Sequence, residues 1–110
     1  MRIMTALLLA ASLAPAPAFA LANDFSNQLK RLPSLQQRAT LRRAVLDEGQ
    51  YCKRIGPVAY QGPYKNLEMW TVQCDRGAAY GVFIGLDGSV QARPCRDMAE
   101  LKLPACKLPK

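Results

Sequence analysis

The fold of this chain is decided by residues 68–84, which have the sequence EMWTVQCDRGAAYGVFI. Residues 68–74 alternate in the manner of a β-strand, in which successive side chains point to opposite faces of a sheet. One face of this strand carries Trp70, Val72 and Cys74, and the other carries Met69, Thr71 and Gln73. We therefore expect a central strand whose Trp70 face lies against the core.

The chain turns back after this strand at residues 75–77, Asp-Arg-Gly, which match a three-residue hairpin loop. Glycine suits the left-handed position of such a loop because it lacks a Cβ atom. The length of the loop fixes the register of the two strands. It places Val72 opposite Tyr80 and Trp70 opposite Val82.

A second loop of the same length, residues 86–88, adds another strand to this hairpin. The register that it sets places Ile84 opposite Val90 and Val82 opposite Ala92. The apolar face therefore continues across a third strand, as in an antiparallel sheet that has one face on the core.

A further strand precedes the hairpin at residues 55–60. Its regularity is interrupted by Gly56-Pro57, which favours a bent or edge strand. Residues 61–66 are rich in turn residues and predict a loop that brings Tyr60 near Leu67. Together these segments predict an antiparallel meander of about four strands.

Two helices are predicted before the meander. Residues 23–32 carry apolar side chains at helical spacing and predict a short first helix. Pro33 interrupts it, and Ser34 with Gln37 matches a capping box that starts a second helix. Gly49 marks the end of that second helix.

The second helix is amphipathic, and its apolar positions are Leu35, Ala39, Leu41, Ala44, Val45 and Leu46. It is the only predicted element large enough to cover the apolar face of the meander. We therefore expect an α+β fold in which an N-terminal amphipathic helix packs on an antiparallel β-meander. The tail, residues 96–110, is expected to finish irregularly after a turn or two of helix.

All four cysteines lie between Cys52 and Cys106, and four cysteines allow three pairings. The predicted register brings Cys52 close to Cys74. Cys95, by contrast, ends the fourth strand, which lies two strands away from the strand of Cys74. That separation is about 9.6 Å at the usual strand spacing, and a disulfide needs Cα atoms about 5.5 Å apart. We therefore predict Cys52–Cys74 and Cys95–Cys106, with the second bridge pinning the tail to the sheet edge.

The first 20 residues have the features of a cleavable export signal: a basic residue, an apolar run and the small-residue ending Ala18-Phe19-Ala20. A second possible cleavage frame ends at Ala22. We divide the chain into a signal peptide, residues 1–20, and one disulfide-stabilised domain, residues 21–110. The apolar run is shorter than the ~20 residues that span a bilayer, so we expect a periplasmic or secreted protein that does not span a membrane.

The chain is basic, with 15 Lys and Arg residues against 8 Asp and Glu residues and a net charge of +7. Removal of Arg2 with the signal peptide leaves 14 basic residues and a net charge of +6. Basic surfaces favour contact with polyanions. For an exported protein these are anionic lipid head groups or envelope polymers rather than nucleic acid.

Several chemistries are excluded by the residues that the chain lacks. It has no histidine, which is the commonest general base and the commonest metal ligand. Successive cysteines are 22, 21 and 11 residues apart, unlike the Cys-x-x-Cys spacing of zinc and redox sites. We therefore predict a protein that is not an enzyme and that has neither a metal site nor a cofactor.

The candidate binding patch is Arg38, Arg42 and Arg43 on the second helix. Arg38 and Arg42 are four residues apart and so share a helical face, where like charges repel each other unless an acidic group offsets them. A polyanionic partner is one such group. Asp47, Glu48 or water is the alternative, in which case the arginines form an ordinary solvated surface.

The structural residues quoted above form the pattern Cys…Trp-x-Val-x-Cys-x-x-Gly-x-x-Tyr-x-Val…Cys between Cys52 and Cys95. This pattern resembles that of a group of small, uncharacterised exported proteins of Gram-negative bacteria. The resemblance implies a fold and a compartment, and it carries no catalytic residue. The helix followed by a meander is also similar in architecture to PepSY-type domains, which are associated with peptidase inhibition or regulation in the cell envelope.

These observations favour a non-enzymatic periplasmic module for protein interaction or regulation. Its expected partner is an envelope protein, such as a peptidase, bound at the outer face or open edge of the meander. The alternative is a basic polyanion binder at the cell envelope, acting on lipid head groups or polymers through the arginine patch. Salt distinguishes the two, because attraction between exposed charges is screened at high ionic strength.

Overall fold

A computed structural model describes residues 22–109 of the chain. The predicted signal peptide, residues 1–20, lies outside the described residues. The elements in chain order are the helices α1 (Asp24–Arg31) and α2 (Ser34–Asp47), the strands β1 (Ile55–Tyr64), β2 (Leu67–Cys74), β3 (Ala79–Ile84) and β4 (Val90–Pro94), and the short helix α3 (Met98–Leu101). This is the predicted α+β fold, with helices packed on an antiparallel meander.

The four strands lie in the order β1-β2-β3-β4, and each pairs antiparallel with the next. The predicted register is confirmed at both hairpins: Val72 pairs with Tyr80, Trp70 with Val82 and Val82 with Ala92. Ile84 pairs with Val90 in the same way. Short loops between alternating strands leave few possible registers, because a slip of one residue would turn the apolar face outward.

The first hairpin differs from its prediction. The expected loop over residues 61–66 is wrong, since β1 continues to Tyr64 and the chain turns at Lys65. The register shifts between Tyr60 and Gly62, as it does at a β-bulge. This irregularity allows the strand to continue through Gly62 and Pro63. Tyr60 consequently pairs with Trp70 instead of lying near Leu67.

The start of α2 also differs from its prediction. Pro33 occupies the N-cap position and Ser34 is already helical, so no capping box forms. The Gln37 side chain instead donates a hydrogen bond of 3.0 Å to the carbonyl oxygen of Leu29 near the end of α1. The same carbonyl also accepts a hydrogen bond of 3.2 Å from the Leu32 N–H, so Gln37 adds a second bond where α1 ends. Leu35, expected on the apolar side, is 80% exposed.

The first face of the sheet is covered by α1 and α2 together. Leu41 and Val45 of α2 and Leu29 of α1 are buried against the strand residues Trp70 and Val82. The indole N–H of Trp70 donates to the hydroxyl oxygen of Ser26 at 3.0 Å, and both residues are buried. The apolar face that the sequence predicted is therefore the main core.

The second face of the sheet is covered as well, which the sequence did not predict. Met69 and Thr71 on this face are buried. Met69 forms a second cluster with Phe83 and with Met98 of α3. Gly81 lies beneath this contact, where an added Cβ atom would approach the methyl group of Met98 to 2.5 Å.

Residues 103–109, which we call the C-terminal segment, run over this second face as irregular chain. Both side-chain amide atoms of Gln61 are used: its nitrogen donates to the Ala105 carbonyl at 2.8 Å, and its oxygen accepts from the Lys107 N–H at 2.9 Å. Thr71 and Gln73 donate to carbonyl oxygens of the same segment. The C-terminal segment therefore occupies part of the outer face, which was one of the two places where a partner was expected to bind.

Candidate functional site

Both predicted disulfides are present. The Cα atoms of Cys52 and Cys74 lie 5.3 Å apart, and those of Cys95 and Cys106 lie 5.7 Å apart. The second bridge holds the C-terminal segment over the sheet face rather than at its edge. Two disulfides in a small domain indicate an oxidising environment.

The arginine patch on α2 is divided by its contacts. Arg42 donates from its Nε to the carbonyl oxygen of Cys52 at 2.9 Å, so it holds the chain that follows the helix. Arg43 points elsewhere, since consecutive residues of a helix are turned by about 100°, and its Nε lies 3.3 Å from the Asp47 carboxylate. Arg38 is partly buried, and its Nε has no hydrogen-bond partner among the described residues. Two of the three guanidinium groups are thus engaged within the chain.

A second group of cations lies at one end of the sheet. This end contains the start of β1 and the β2–β3 turn. We call Lys53, Arg54 and Arg76 the basic end; all three are exposed. Around them, Asp75 accepts a hydrogen bond of 2.6 Å from the Tyr51 hydroxyl and one of 2.9 Å from the Arg54 N–H. The loop before β1 is thereby fastened to the β2–β3 turn.

The same contacts perturb the acidity of the Asp75 carboxyl group. The hydrogen bond from Tyr51, followed by the one from the Arg54 backbone, lowers the pKa of Asp75 from 3.8 to about 2. Both bonds favour the charged form of the carboxylate. The side-chain part of this fastening is therefore strongest when Asp75 is ionised.

We predict a loss of stability in acid that depends on Asp75. Its pKa is lower in the folded chain, so the stabilisation is present above pH ~4 and is lost as the pH falls towards ~2. In an Asp75→Asn variant, the urea midpoint should fall less steeply than that of the wild type over this range. Parallel pH profiles for the two proteins would show that the Tyr51–Asp75 contact does not stabilise the fold.

One cluster of titratable groups resembles catalytic machinery, and sequence reasoning missed it. The Tyr60 hydroxyl donates to the Glu68 carboxylate at 3.0–3.1 Å, and the Lys30 ammonium lies 3.5 Å from that carboxylate and 3.8 Å from the centre of the tyrosine ring. Burial, followed by the hydrogen bond to Glu68, raises the pKa of Tyr60 to about 12. A phenol with so high a pKa keeps its proton at neutral pH and is unsuited to act as a base or nucleophile. The cluster instead ties α1 to the β1–β2 hairpin.

An apolar cleft opens between α1, α2 and the β3–β4 hairpin, with a volume of about 260 Å³. Core side chains form its walls, including Leu29, Leu41, Val82 and Ile84. Phe25 lies at one side of the cleft, and 49% of its surface is exposed. The Phe25 ring packs on Gly88, where an added Cβ atom would come within 2.8 Å of the ring. The cleft adjoins a wider depression of about 510 Å³, whose lining includes charged side chains, through the shared residues Thr40, Ala44 and Val90. Sequence reasoning did not predict it, because the cleft depends on how far the two helices stand from the hairpin.

Within residues 22–109, no group of three or more potential ligands among Cys, Asp and Glu is arranged to hold a metal ion. None of the helices in this part of the chain is long and apolar enough to cross a bilayer.

Comparison with known proteins found no match to a protein-family model, to a curated protein or to a solved structure. The resemblance to small exported proteins and to PepSY-type domains therefore stays a prediction.

Proposed function

We propose that this protein is a non-enzymatic periplasmic interaction module whose protein partner inserts apolar side chains into the cleft between α1, α2 and the β3–β4 hairpin. The observation that carries the proposal is the make-up of that cleft. Its lining is largely apolar and includes the exposed Phe25 and the half-buried Leu32, and it shares Thr40 with a depression lined by Arg43, Asp47 and Glu48. An apolar centre with a polar rim is the usual anatomy of a protein interface.

Other routes of protein binding are less accessible on this fold. At the β4 edge, the Ala92 N–H donates to the Glu48 carboxylate at 3.2 Å, which occupies a main-chain donor that an added strand would need. The β1 edge contains Pro57 and Pro63, which have no N–H group. Binding of side chains in the cleft thus fits the surface better than addition of a strand.

The periplasm is the proposed compartment because two kinds of observation agree. The two disulfides need an oxidising environment. The first 20 residues have the composition of an export signal. The partner is therefore sought among envelope proteins.

We expect one envelope protein to co-purify with the mature chain and to remain bound when salt is raised from about 0.15 M to about 0.5 M, since apolar contact is not screened. Thr40→Glu places a carboxylate at an exposed position on the cleft wall and should abolish this binding. The matched control is Ala99→Glu, which adds the same charge at an exposed position of α3, beneath the other face of the sheet. Binding that survives Thr40→Glu, or that is lost with salt, would contradict the cleft as the docking site.

Polyanion binding through Arg38, Arg42 and Arg43 is the second candidate. The Nε of Arg38 favours it, because this atom has no hydrogen-bond partner within residues 22–109. The contacts of Arg42 with Cys52 and of Arg43 with Asp47 weigh against it, because a polyanion would have to compete with them. We rank it below the cleft.

A further inference from the structure

We propose that the basic end, Lys53, Arg54 and Arg76, docks on the anionic phospholipid head groups of a membrane surface. This site is separate from the cleft and does not depend on it. The cleft includes Gly88 in the β3–β4 turn, whereas Arg76 lies in the β2–β3 turn, and an antiparallel meander places these two turns at opposite ends of the sheet. A membrane contact at one end leaves the cleft accessible at the other.

The cations of the basic end are available for an external anion. Among residues 22–109, none of the three has a carboxylate oxygen within the 4.0 Å of an ion pair. Asp75, the acidic residue between them in the fold, already accepts hydrogen bonds from Tyr51 and from the Arg54 backbone. The three cations outnumber the one carboxylate of Asp75, so this end of the sheet keeps a net positive charge.

The backbone that carries these cations is fixed before any ligand arrives. The Cys52–Cys74 disulfide joins the residue before Lys53 to the residue before Asp75. The backbones of Arg54 and Asp75 are linked by a further hydrogen bond of 3.0 Å, from the Asp75 N–H to the Arg54 carbonyl. A backbone held in place in this way loses less conformational freedom on binding.

Arg76 occupies a backbone conformation that does not favour arginine. Its φ is 60° and its ψ is 29°, and Gly77 follows with a φ of 72°. Two successive left-handed residues in a tight hairpin turn favour Asn-Gly, because asparagine tolerates this conformation better than a long side chain does. An arginine at this point costs conformational energy, and the turn itself does not require its charge. A ligand for the guanidinium group supplies a reason for it.

Phospholipid head groups fit the chemistry of this surface. Arginine binds phosphate oxygens in a bidentate manner. The Arg76 guanidinium lies 5.6 Å from the centre of the Tyr51 ring, and Tyr51 is 40% exposed. Tyrosine is enriched at the level of lipid head groups. Cations next to an exposed tyrosine are thus matched to a membrane interface.

The test uses residues 21–110 with vesicles of phosphatidylcholine, with and without phosphatidylglycerol. We expect binding to the anionic vesicles, reversed by high salt. Arg76→Asn should weaken this binding by about fivefold, which is the usual effect of removing one cation near an anionic surface. The triple variant that also carries Lys53→Gln and Arg54→Gln should bind about a hundredfold more weakly than the wild type. Arg76→Asn should also raise the melting temperature, because asparagine suits the turn.

Lys65→Asn is the matched control. Lys65 has a φ of 55° in the β1–β2 turn at the opposite end of the sheet, so the variant removes one charge and relieves the same conformation. It should raise the melting temperature and leave vesicle binding unchanged. Equal losses from Arg76→Asn and Lys65→Asn, or binding of soluble polyphosphate without binding of anionic vesicles, would overturn the proposal. The cleft is tested by protein capture instead, so failure of either proposal is distinguishable from failure of the other.

Discussion

Replacing both Cys52 and Cys74 by serine is expected to lower the free energy of unfolding by about 3 kcal/mol. The bridge closes a loop of 22 residues, and its loss restores the corresponding conformational entropy to the unfolded chain. A domain of this size has a total stability of roughly 5–15 kcal/mol, so the loss is a large part of the whole. Urea unfolding followed by tryptophan fluorescence measures it through Trp70, which is the one tryptophan of the chain.

The other bridge provides the comparison. Cys95–Cys106 closes a loop of 11 residues, so its replacement by serine should cost slightly less for the same entropic reason. The Cys52–Cys74 variant should additionally weaken the contact between Tyr51 and Asp75 at the basic end. A loss below about 1 kcal/mol for that variant would contradict the assigned role of the bridge.

Removal of residues 103–110, combined with Cys95→Ser, is expected to cost about 4 kcal/mol. About 3 kcal/mol of this is the lost disulfide, and about 1 kcal/mol or more is the hydrogen bonding and packing of the C-terminal segment. Gln61, Thr71 and Gln73 would lose their partners in that segment. Amide hydrogen exchange in β1 and β2 should accelerate in the truncated protein.

The control for this truncation is the full-length Cys95→Ser/Cys106→Ser protein. It lacks the bridge but keeps every residue of the C-terminal segment. If the truncated protein is no less stable than this control, the segment lies on the sheet without stabilising it. A further loss of about 1 kcal/mol would support its role as the cover of the second face.

The parts of the fold that follow local rules could be predicted from the sequence. Residues 68–84 fix two strands, a tight turn and a register, because alternation and loop length leave one arrangement with Trp70 and Val82 on the core. The disulfide pairing followed from that register. Helix α1 begins where a capping residue precedes apolar spacing, and the Asn23 side chain accepts from the Ser26 N–H.

The C-terminal segment could not be predicted, because its path has no periodicity. It is held by side chains far away in sequence, such as Gln61, whose pattern in β1 gives no sign of a partner at Ala105 or Lys107. The prediction of a capping box at the start of α2 was wrong for a similar reason. Gln37 matched a local capping pattern, but it bonds to Leu29 eight residues earlier.

The clustering of cations at the basic end could have been predicted from the sequence, but it was not recognised. Lys53 and Arg54 follow Cys52, and Asp75 and Arg76 follow Cys74. Once the disulfide pairing was inferred, these four residues had to lie together. The cleft could not have been predicted from the sequence, because its size depends on the packing distance between the helices and the β3–β4 hairpin.

Site-specific photo-cross-linking in living cells tests the proposed docking site most directly. A photoreactive phenylalanine analogue is placed at Thr40 on the cleft wall or at Ala99 on α3, and both proteins are exported and irradiated. We predict one discrete adduct from position 40, none from position 99, and loss of the position 40 adduct when the adjoining Ala44 is changed to Glu. No adduct from position 40, or the same adducts from both positions, would contradict a partner bound in the cleft.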